Sequence, residues 1–407
     1  MTSAEQARST ILERVRPVAD ESVPLAQAYH RVIAKDIVSD IDIPPFNSAS
    51  MDGFAVRSED TRTASPGLPS ALALTEEIAA GDHADMRLNP GSTARIMTGA
   101  PIPEGADAVV EQELTVTKNG TVEVQAPVSS GRNFRKRGED IRAGSTVIQR
   151  GALIRPAHLG VLASLGVKSV AVHRRPQVAF LTTGNELVEV TDGIEGGKIR
   201  NSNAYALLGL IREAGAEPFD KGIARDTKDD LRRKLAESSA FDAMITSGGV
   251  SVGKYDLVLE MLREVGVEIV FWKVNIKPGM PFAFAVWRRE SREIPVFCLP
   301  GNPVSTMVTF LQFVRPALKK MMGVRGPEKP VPLRAVLEHP ITKSDGKRHW
   351  SRGFVRSDNG VLKVRTTRSQ SSGVLTSLVE ANCLVTIPED ARELREGDEV
   401  EVELLYL

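Results

Sequence analysis

The run Ala243-Met-Ile245 passes directly into Thr246-Ser-Gly-Gly-Val-Ser-Val-Gly-Lys-Tyr-Asp256. Two further runs share this form: Val178-Ala-Phe-Leu181 enters Thr182-Thr-Gly-Asn-Glu-Leu187, and Pro295-Val-Phe-Cys-Leu299 enters Pro300-Gly-Asn-Pro-Val-Ser305. A short apolar run bounded by turn formers and followed by a helical pattern reads as a buried strand of a mostly parallel sheet. In such sheets ligands sit outside the carboxyl ends of the strands, where loops lead into helix N-termini. All three loops hold that position, so the functional site is expected there.

Working outward, helical patterns near residues 202–214, 227–237, 256–265 and 303–319 alternate with extended segments near 217–223, 268–273 and 282–287. Strands separated by helices of this length imply right-handed βαβ crossovers. Residues 173–322 are therefore expected to form a central three-layer α/β domain with a mostly parallel sheet. Upstream, Ser3-Ala-Glu-Gln6 is a capping-box pattern that opens a helix over residues 3–16. Residues 25–31 read as a second short helix and 32–38 as a strand. Residues 44–135 carry many Gly and Pro between short alternating strands, the signature of a small all-β insert. That insert would interrupt a mixed, discontinuous N-terminal region of residues 1–43 and 136–172, with a helix near 156–165. Residues 323–407, again short alternating strands, read as a small β-barrel. The fold class expected is multidomain α/β plus β.

Composition narrows the function. The 407-residue chain has 52 Lys+Arg against 52 Asp+Glu, a formal net charge of zero, which removes the basic face that duplex binding requires. Two distant cysteines, Cys298 and Cys383, make neither a disulfide framework nor a zinc site and point to a reducing compartment. Cys298 reads as core packing. The first residues have no basic start and no apolar core of a signal peptide, and no run approaches the roughly 18 apolar residues of a membrane span. A cytoplasmic protein with neither nucleic-acid nor membrane partners is expected.

Each loop offers chemistry beside a plainer account. Glu186 places a carboxylate beyond a strand end, or merely belongs to a helix-capping turn. The loop Ser247-Gly248-Gly249 with Ser251 has glycines and hydroxyls that let backbone N–H groups approach an anion; it lacks the spacing of a Walker A loop. Asp256 closes that loop as a metal ligand or as a helix cap. Asp226, ahead of Thr227-Lys-Asp-Asp230, has a similar N-cap alternative, as do Asn302 and Pro303 in Pro300-Gly-Asn-Pro303. Lys273 and Lys277 fall on one face if their segment is an extended strand, and two cations beside a Gly-rich cradle suit a phosphorylated ligand. The carboxylates Asp52, Glu186, Asp226 and Asp256 are candidates for a hard cation, since Mg²⁺ takes one or two carboxylates with phosphate and water.

Read in order, the chain resembles the molybdopterin molybdenumtransferase family, which includes bacterial MoeA and the gephyrin E domain. The resemblance runs from about Val23 to Pro388. It is carried by Pro44-Pro-Phe-Asn-Ser-Ala-Ser-Met-Asp-Gly-Phe-Ala55, Arg95-Ile-Met-Thr-Gly-Ala100, Gly138-Glu-Asp-Ile141 and the Thr182–Leu187 stretch. Further on it is carried by Ser247-Gly-Gly-Val-Ser-Val-Gly253 with Asp256, Lys277-Pro-Gly, Leu299-Pro-Gly-Asn-Pro-Val-Ser305 and Ser371-Ser-Gly373. The resemblance implies an enzyme that takes adenylylated molybdopterin and molybdate as substrates, requires Mg²⁺, inserts the metal and releases AMP. It implies Asp52, Thr98, Glu186, Asp226 and Asp256 as the catalytic polar set, with Glu186 and Asp256 on the metal. Lys273 and Lys277 would hold phosphate or oxyanion, Pro300 and Pro303 would shape the pocket, and Ser247, Gly248, Gly249, Ser251 and Ser371 would contact substrate. It also implies a homodimer whose cleft combines both subunits, and transient contact with molybdopterin adenylyltransferase and with molybdoenzymes. Met280 departs from the pattern, since many relatives carry lysine there, and Arg348-His-Trp-Ser-Arg352 departs from their paired arginines. The alternatives are the related adenylyltransferase, which lacks the flanking β regions, and a non-catalytic molybdopterin-binding scaffold.

Overall fold

The computed structural model describes all residues except 83–86, 251–256, 290–291, 326–331 and 406–407. The chain forms two compact units: Met1–Ala34 with Arg150–Arg155 and Ser169–Leu407, and Lys35–Gln149 with Pro156–Lys168.

In the first unit, helix α1 (Ala4–Arg14) starts at a complete capping box: Ser3 Oγ accepts from the Gln6 N–H, and the Gln6 side chain accepts from the Ser3 N–H. The central domain then runs through β1 (Gln177–Thr183), α2 (Ser202–Glu213), β2 (Glu217–Ala224), α3 (Lys228–Ser238) and β3 (Ala243–Ser247). It continues with α4 (Leu257–Glu264), β4 (Val267–Trp272), β5 (Ile276–Lys277), β6 (Ala283–Arg289), β7 (Arg292–Leu299) and α5 (Pro303–Thr309). The sheet order is β2-β1-β3-β7-β6-β4. The first four strands are parallel; β6 and β4 add antiparallel edges. From β1 the chain crosses outward to β2 and then back past β1 to β3, so the strand order reverses between β1 and β3. Helix α5 continues through a π-helical turn at Phe310–Val314 into α6 (Arg315–Met321).

Both faces of this sheet are covered, which is why its strands read as continuous apolar runs. Val178, Phe180, Ile245 and Phe297 pack on one face with α1, α2 and the α5–α6 helix. Leu181, Met244, Val296 and Cys298 pack on the other with α3 and α4. Burial pushes the Cys298 thiol up to about 12, so it is an inert packing group.

The C-terminal strands β8 (Leu333–Leu337), β9 (Arg348–Asp358), β10 (Val361–Thr366), β11 (Cys383–Ile387) and β12 (Glu399–Leu404) close into a five-stranded barrel in the order β9-β10-β8-β12-β11-β9. Closure leaves no free edge among those five strands. The start of β9 also pairs with β5, Lys277 opposite His349. Aromatic packing spans the same junction. Phe313 stacks on Phe282 at 4.8 Å between ring centres and meets the Trp350 edge at 6.0 Å.

The second unit contains a six-stranded sheet built from Gly53–Val56, Ser70–Ile78, Ser92–Ile96, Ala108–Glu111, Thr115–Lys118 and Thr121–Val124, together with the helix Pro156–Ser164. Two upstream readings are corrected. Residues 25–31 hold only a 3₁₀ turn, Leu25–Gln27, because His30 takes a left-handed backbone that ends helical hydrogen bonding. Residues 32–38 are two strands: Val32–Ile33 pairs with Ser169–His173, and Ile37–Val38 pairs with Thr146–Ile148.

Phe313 is 1% exposed. Replacing it with Ala is expected to lower unfolding free energy by about 3–5 kcal/mol in urea titration. Because its ring touches both central-domain and barrel aromatics, fluorescence of the barrel Trp350 should shift at the same midpoint as far-UV dichroism.

Candidate functional site

The reversal of strand order between β1 and β3 creates a crevice at their carboxyl ends, where ligands bind in open α/β sheets. A cavity of about 490 Å³ opens there, walled by Thr183, Gly184, Glu186, Leu187, residues 199–203, Asp226, residues 247–250, Pro281 and the Pro300–Pro303 turn.

Gly248 and Gly249 shape its floor. Both have left-handed backbones, φ +101° and +66°. A Cβ on Gly248 would lie 2.5 Å from the Thr183 carbonyl oxygen, and one on Gly249 would lie 2.5 Å from Val258 Cγ2. Only glycine fits both conditions. The Gly248 N–H donates to Leu299 O at 3.0 Å, so this N–H ties β3 to β7 and is not free for an anion. An N–H cradle therefore begins no earlier than Gly249.

From β1 the loop turns at Gly184 to present Glu186, then returns through a two-residue ladder of Leu187–Val188 on Ile199–Arg200 to the start of α2. Asn201 caps α2 with its side-chain oxygen and donates Nδ2 to Thr182 Oγ1 at 2.8 Å. Asn203 donates to Gly301 O at 2.8 Å and Ser247 Oγ at 2.9 Å, while Thr306 Oγ1 donates to Pro300 O at 2.6 Å. These bonds lock the three loop ends together. Neither the Thr183 hydroxyl nor the Asn203 side-chain carbonyl, both buried, has a partner among the described residues.

Of the expected site residues, Glu186, Asp226, Ser247, Gly248, Gly249, Pro300 and Pro303 wall this cavity. Ser251 and Asp256 lie outside the described residues. The N-cap account of Asp226 fails: Thr227 holds the cap position without a side-chain cap bond, and Asp226 Oδ2 accepts the Asn185 N–H at 3.1 Å. Asn302 does hold the N-cap position with Pro303 opening the helix, but it makes no side-chain cap bond, and its amide donates to Ser372 Oγ at 3.0 Å. That contact brings the Ser371–Gly373 stretch of the barrel region to the helix start, with Val304 N–H donating to Ser372 O at 3.1 Å. Ser371 itself is not in the cavity wall. Its carbonyl accepts from Arg352 at 3.0 Å. Arg352 is 1% exposed, and burial lowers its guanidinium to about 10. Its described acceptors are all neutral, Ser369 O and Ser377 Oγ being the others.

The lysines do not sit as an extended strand would place them. Lys273 has a left-handed backbone, φ 72°, between β4 and β5, which breaks the alternation. Its ammonium lies over the Trp272 ring at 4.1 Å, and Lys277 lies 3.6 Å from Asp345. Neither walls the cavity. Beside them Lys347 brings its ammonium to 3.4 Å from Met280 Sδ. The same neighbourhood lowers the His349 pKa, chiefly by burial, with Lys277 and Lys343 adding to it and Asp345 opposing it.

In the second unit Asp52 and Thr98 extend from adjacent antiparallel strands. The Thr98 hydroxyl and N–H both donate to Asp52 Oδ1 at 2.7 Å. The hydroxyl bond first, then the N–H bond, hold the Asp52 carboxyl below its ordinary range.

The strand order and the crevice define a ligand-binding α/β enzyme domain, here set in a chain with β modules on both sides. Residues 2–166 match the family model "MoeA N-terminal region (domain I and II)", 179–320 match "Probable molybdopterin binding domain", and 334–405 match "MoeA C-terminal region (domain IV)". The molybdopterin molybdenumtransferase of Haemophilus influenzae is 36% identical over 408 residues, covering 99% of this chain and 98% of that protein. Molybdopterin molybdenumtransferase 2 of Mycobacterium tuberculosis is 36% identical over 410 residues, covering 99% of each. The crystal structure of the molybdopterin biosynthesis MoeA protein of Pyrococcus horikoshii superposes with a TM-score of 0.86 at 32% identity, over 99% of this chain and 100% of that one. The chain belongs to the molybdopterin molybdenumtransferase (MoeA) family. It is a transferase of molybdenum cofactor biosynthesis, and its reaction is molybdenum insertion. No helix among the described residues is long and apolar enough to cross a membrane.

Two outcomes are expected. Gly248→Ala should abolish ligand binding in the crevice and lower stability by more than about 1 kcal/mol, read by thermal melting and by calorimetric titration. Thr98→Val should raise the Asp52 titration midpoint in carboxyl-carbon NMR. The lowered pKa means that this hydrogen-bonded stabilisation is present above the unfolded pKa and lost as pH falls through the folded one. An unmoved midpoint would show that the Thr98 hydroxyl does not set it.

Proposed function

We propose that molybdenum insertion here takes adenylylated molybdopterin as substrate, depends on Mg²⁺, and releases AMP in a molybdate-dependent step. The observation that carries this reading is the cavity at the strand reversal, where Glu186 and Asp226 share one wall with the Gly249 backbone. Among the described residues no group of three His, Cys, Asp or Glu is placed to hold a metal ion. Two carboxylates in one wall nonetheless suit Mg²⁺, which completes its shell with phosphate oxygens and water.

Glu186 would hold the ion with Asp256, and Asp226 shares the cavity wall with Glu186. The ion, when bound, supplies neutralisation of charge on the phosphate oxygens. The chain's own groups do the rest by placement. Asn185 N–H holds Asp226 in a fixed orientation, the Gly249 N–H would donate to the phosphate, and Pro300 and Pro303 keep the turn rigid. Lys273 and Lys277 would hold the oxyanion where the barrel meets the central domain. No protein nucleophile is needed, because positioned charge carries the step. The functional assembly is proposed to be a homodimer in which Asp52 and Thr98 of one chain complete the cleft of the other. Molybdopterin adenylyltransferase would supply the substrate by transient contact, and molybdoenzymes would receive the product.

AMP release measured with Mg²⁺, with and without molybdate, tests the reaction: release that ignores molybdate overturns it. Glu186→Gln is expected to lower turnover roughly 10²-fold with the fold intact. For the shared cleft, co-expressed Asp52→Asn and Glu186→Gln chains should recover activity that neither variant has alone, since mixed dimers keep one intact site. A monomer in sedimentation at assay concentration would remove that part of the proposal.

A further inference from the structure

The orientation of Asn203 is fixed by chemistry. Its Nδ2 lies 2.8 Å from the Gly301 carbonyl oxygen, which can only accept, and 2.9 Å from Ser247 Oγ, with Thr306 Oγ1 at 3.3 Å. Turning the amide over would set oxygen against oxygen at Gly301, so the assignment of nitrogen and oxygen is settled by the network. Oδ1 is thereby committed to the other side. It is buried and has no hydrogen-bond partner among the described residues, in a side chain that walls the crevice. A buried acceptor left unmatched is costly, and native structures rarely keep one without a reason.

We infer that Asn203 is a specificity-determining residue whose side-chain carbonyl accepts a hydrogen bond from a hydroxyl or amino group on the nucleoside end of the substrate. Oδ1 is acceptor-only. Phosphate, molybdate and carboxylate oxygens are acceptors too, so none of them satisfies it. The matching group is a neutral O–H or N–H donor, and the adenylyl part of the substrate has two kinds: ribose hydroxyls and the adenine amino group. Thr183, whose buried hydroxyl is also unpartnered in the same wall, can donate or accept and supplies the second polar contact. The inference rests on the reading that AMP is the leaving product. It assigns the α2 end of the crevice to the nucleoside and leaves the carboxylate end, at Glu186 and Asp226, to phosphate.

A purely structural Asn203, holding the Gly301 turn, would weaken every ligand equally when removed. A ligand-reading Asn203 has a different signature, a coupling between the residue and one group of the ligand. Calorimetric titration of the full-length protein with AMP, 2′-deoxy-AMP, 3′-deoxy-AMP and inosine monophosphate, each on wild type and on Asn203→Ala, separates the two. Wild type should bind AMP roughly ten-fold tighter than the one analogue that lacks the donor, and Asn203→Ala should bring that ratio to about one. Which analogue shows the effect tells a ribose hydroxyl from the adenine amino group. A ratio that persists in Asn203→Ala, or no analogue distinguished by wild type, overturns the inference while leaving AMP release standing. Failure of AMP to bind wild type at all overturns the AMP reading and this inference with it. Should Asn203→Ala prove misfolded by circular dichroism, Thr183→Val and Asn203→Ser carry the same titrations.

Discussion

The close approach of β3 to β1 at Gly248 is the constraint on which the site depends. Where the strand order reverses, the chains leaving β1 and β3 diverge and open a crevice. At its floor they come together again, the Thr183 carbonyl oxygen lying 2.5 Å from where a Gly248 Cβ would be. The same residue's N–H binds Leu299 O, so one glycine fixes the ends of three parallel strands. Any side chain there must displace backbone, not merely a neighbouring side chain. The tolerance for movement is correspondingly small, and the described loop ends at these strands inherit that rigidity.

Rigidity at the strand ends is transmitted from both covered faces of the sheet and from the barrel. Arg352 shows how the barrel contributes. A buried guanidinium without a carboxylate is expensive to desolvate, and its lowered pKa records that cost. What offsets it is a set of carbonyl and hydroxyl acceptors on residues 369–377. Those bonds hold the segment whose Ser372 meets Asn302 and Val304 at the start of α5. Arg352 is not itself in the cavity wall, yet it helps place the turn that forms part of it.

The parallel strands were legible because burial on both faces erases alternation and leaves unbroken apolar runs such as Val178-Ala-Phe-Leu181. The loops were legible because glycine and proline clusters mark their ends. What sequence did not reveal were departures from ideal geometry. Spacing placed Lys273 and Lys277 on one strand face, but a single left-handed residue at Lys273 redirects the chain. Asp226 looked like a helix cap and instead bonds across to Asn185, and Asn302 holds its cap position but bonds its side chain to Ser372, which depends on tertiary neighbours that periodicity does not encode. Asn203 was hidden for the opposite reason: Asn201-Ser-Asn203 reads as an ordinary cap, and Asn201 does cap α2, so nothing in the pattern marks the second asparagine as different. Ser251 and Asp256 lie beyond the described residues, so only their sequence context speaks for them.

The charge balance of the crevice bears on the proposed metal dependence. Its described wall carries two carboxylates, Glu186 and Asp226, against one guanidinium, Arg200, a net charge of −1 among the described residues. A phosphate diester or monoester adds further negative charge to a partly enclosed, low-dielectric space, where repulsion is felt more strongly than in water. The lysines that would offset it lie outside the wall, one over Trp272 and one beside Asp345. On the proposed reading an anionic substrate would meet these carboxylates, and a divalent cation between them would make the arrangement favourable. On the same reading Lys277, held beside Asp345 near the barrel, would serve the oxyanion and leave the phosphate to the cation between the carboxylates.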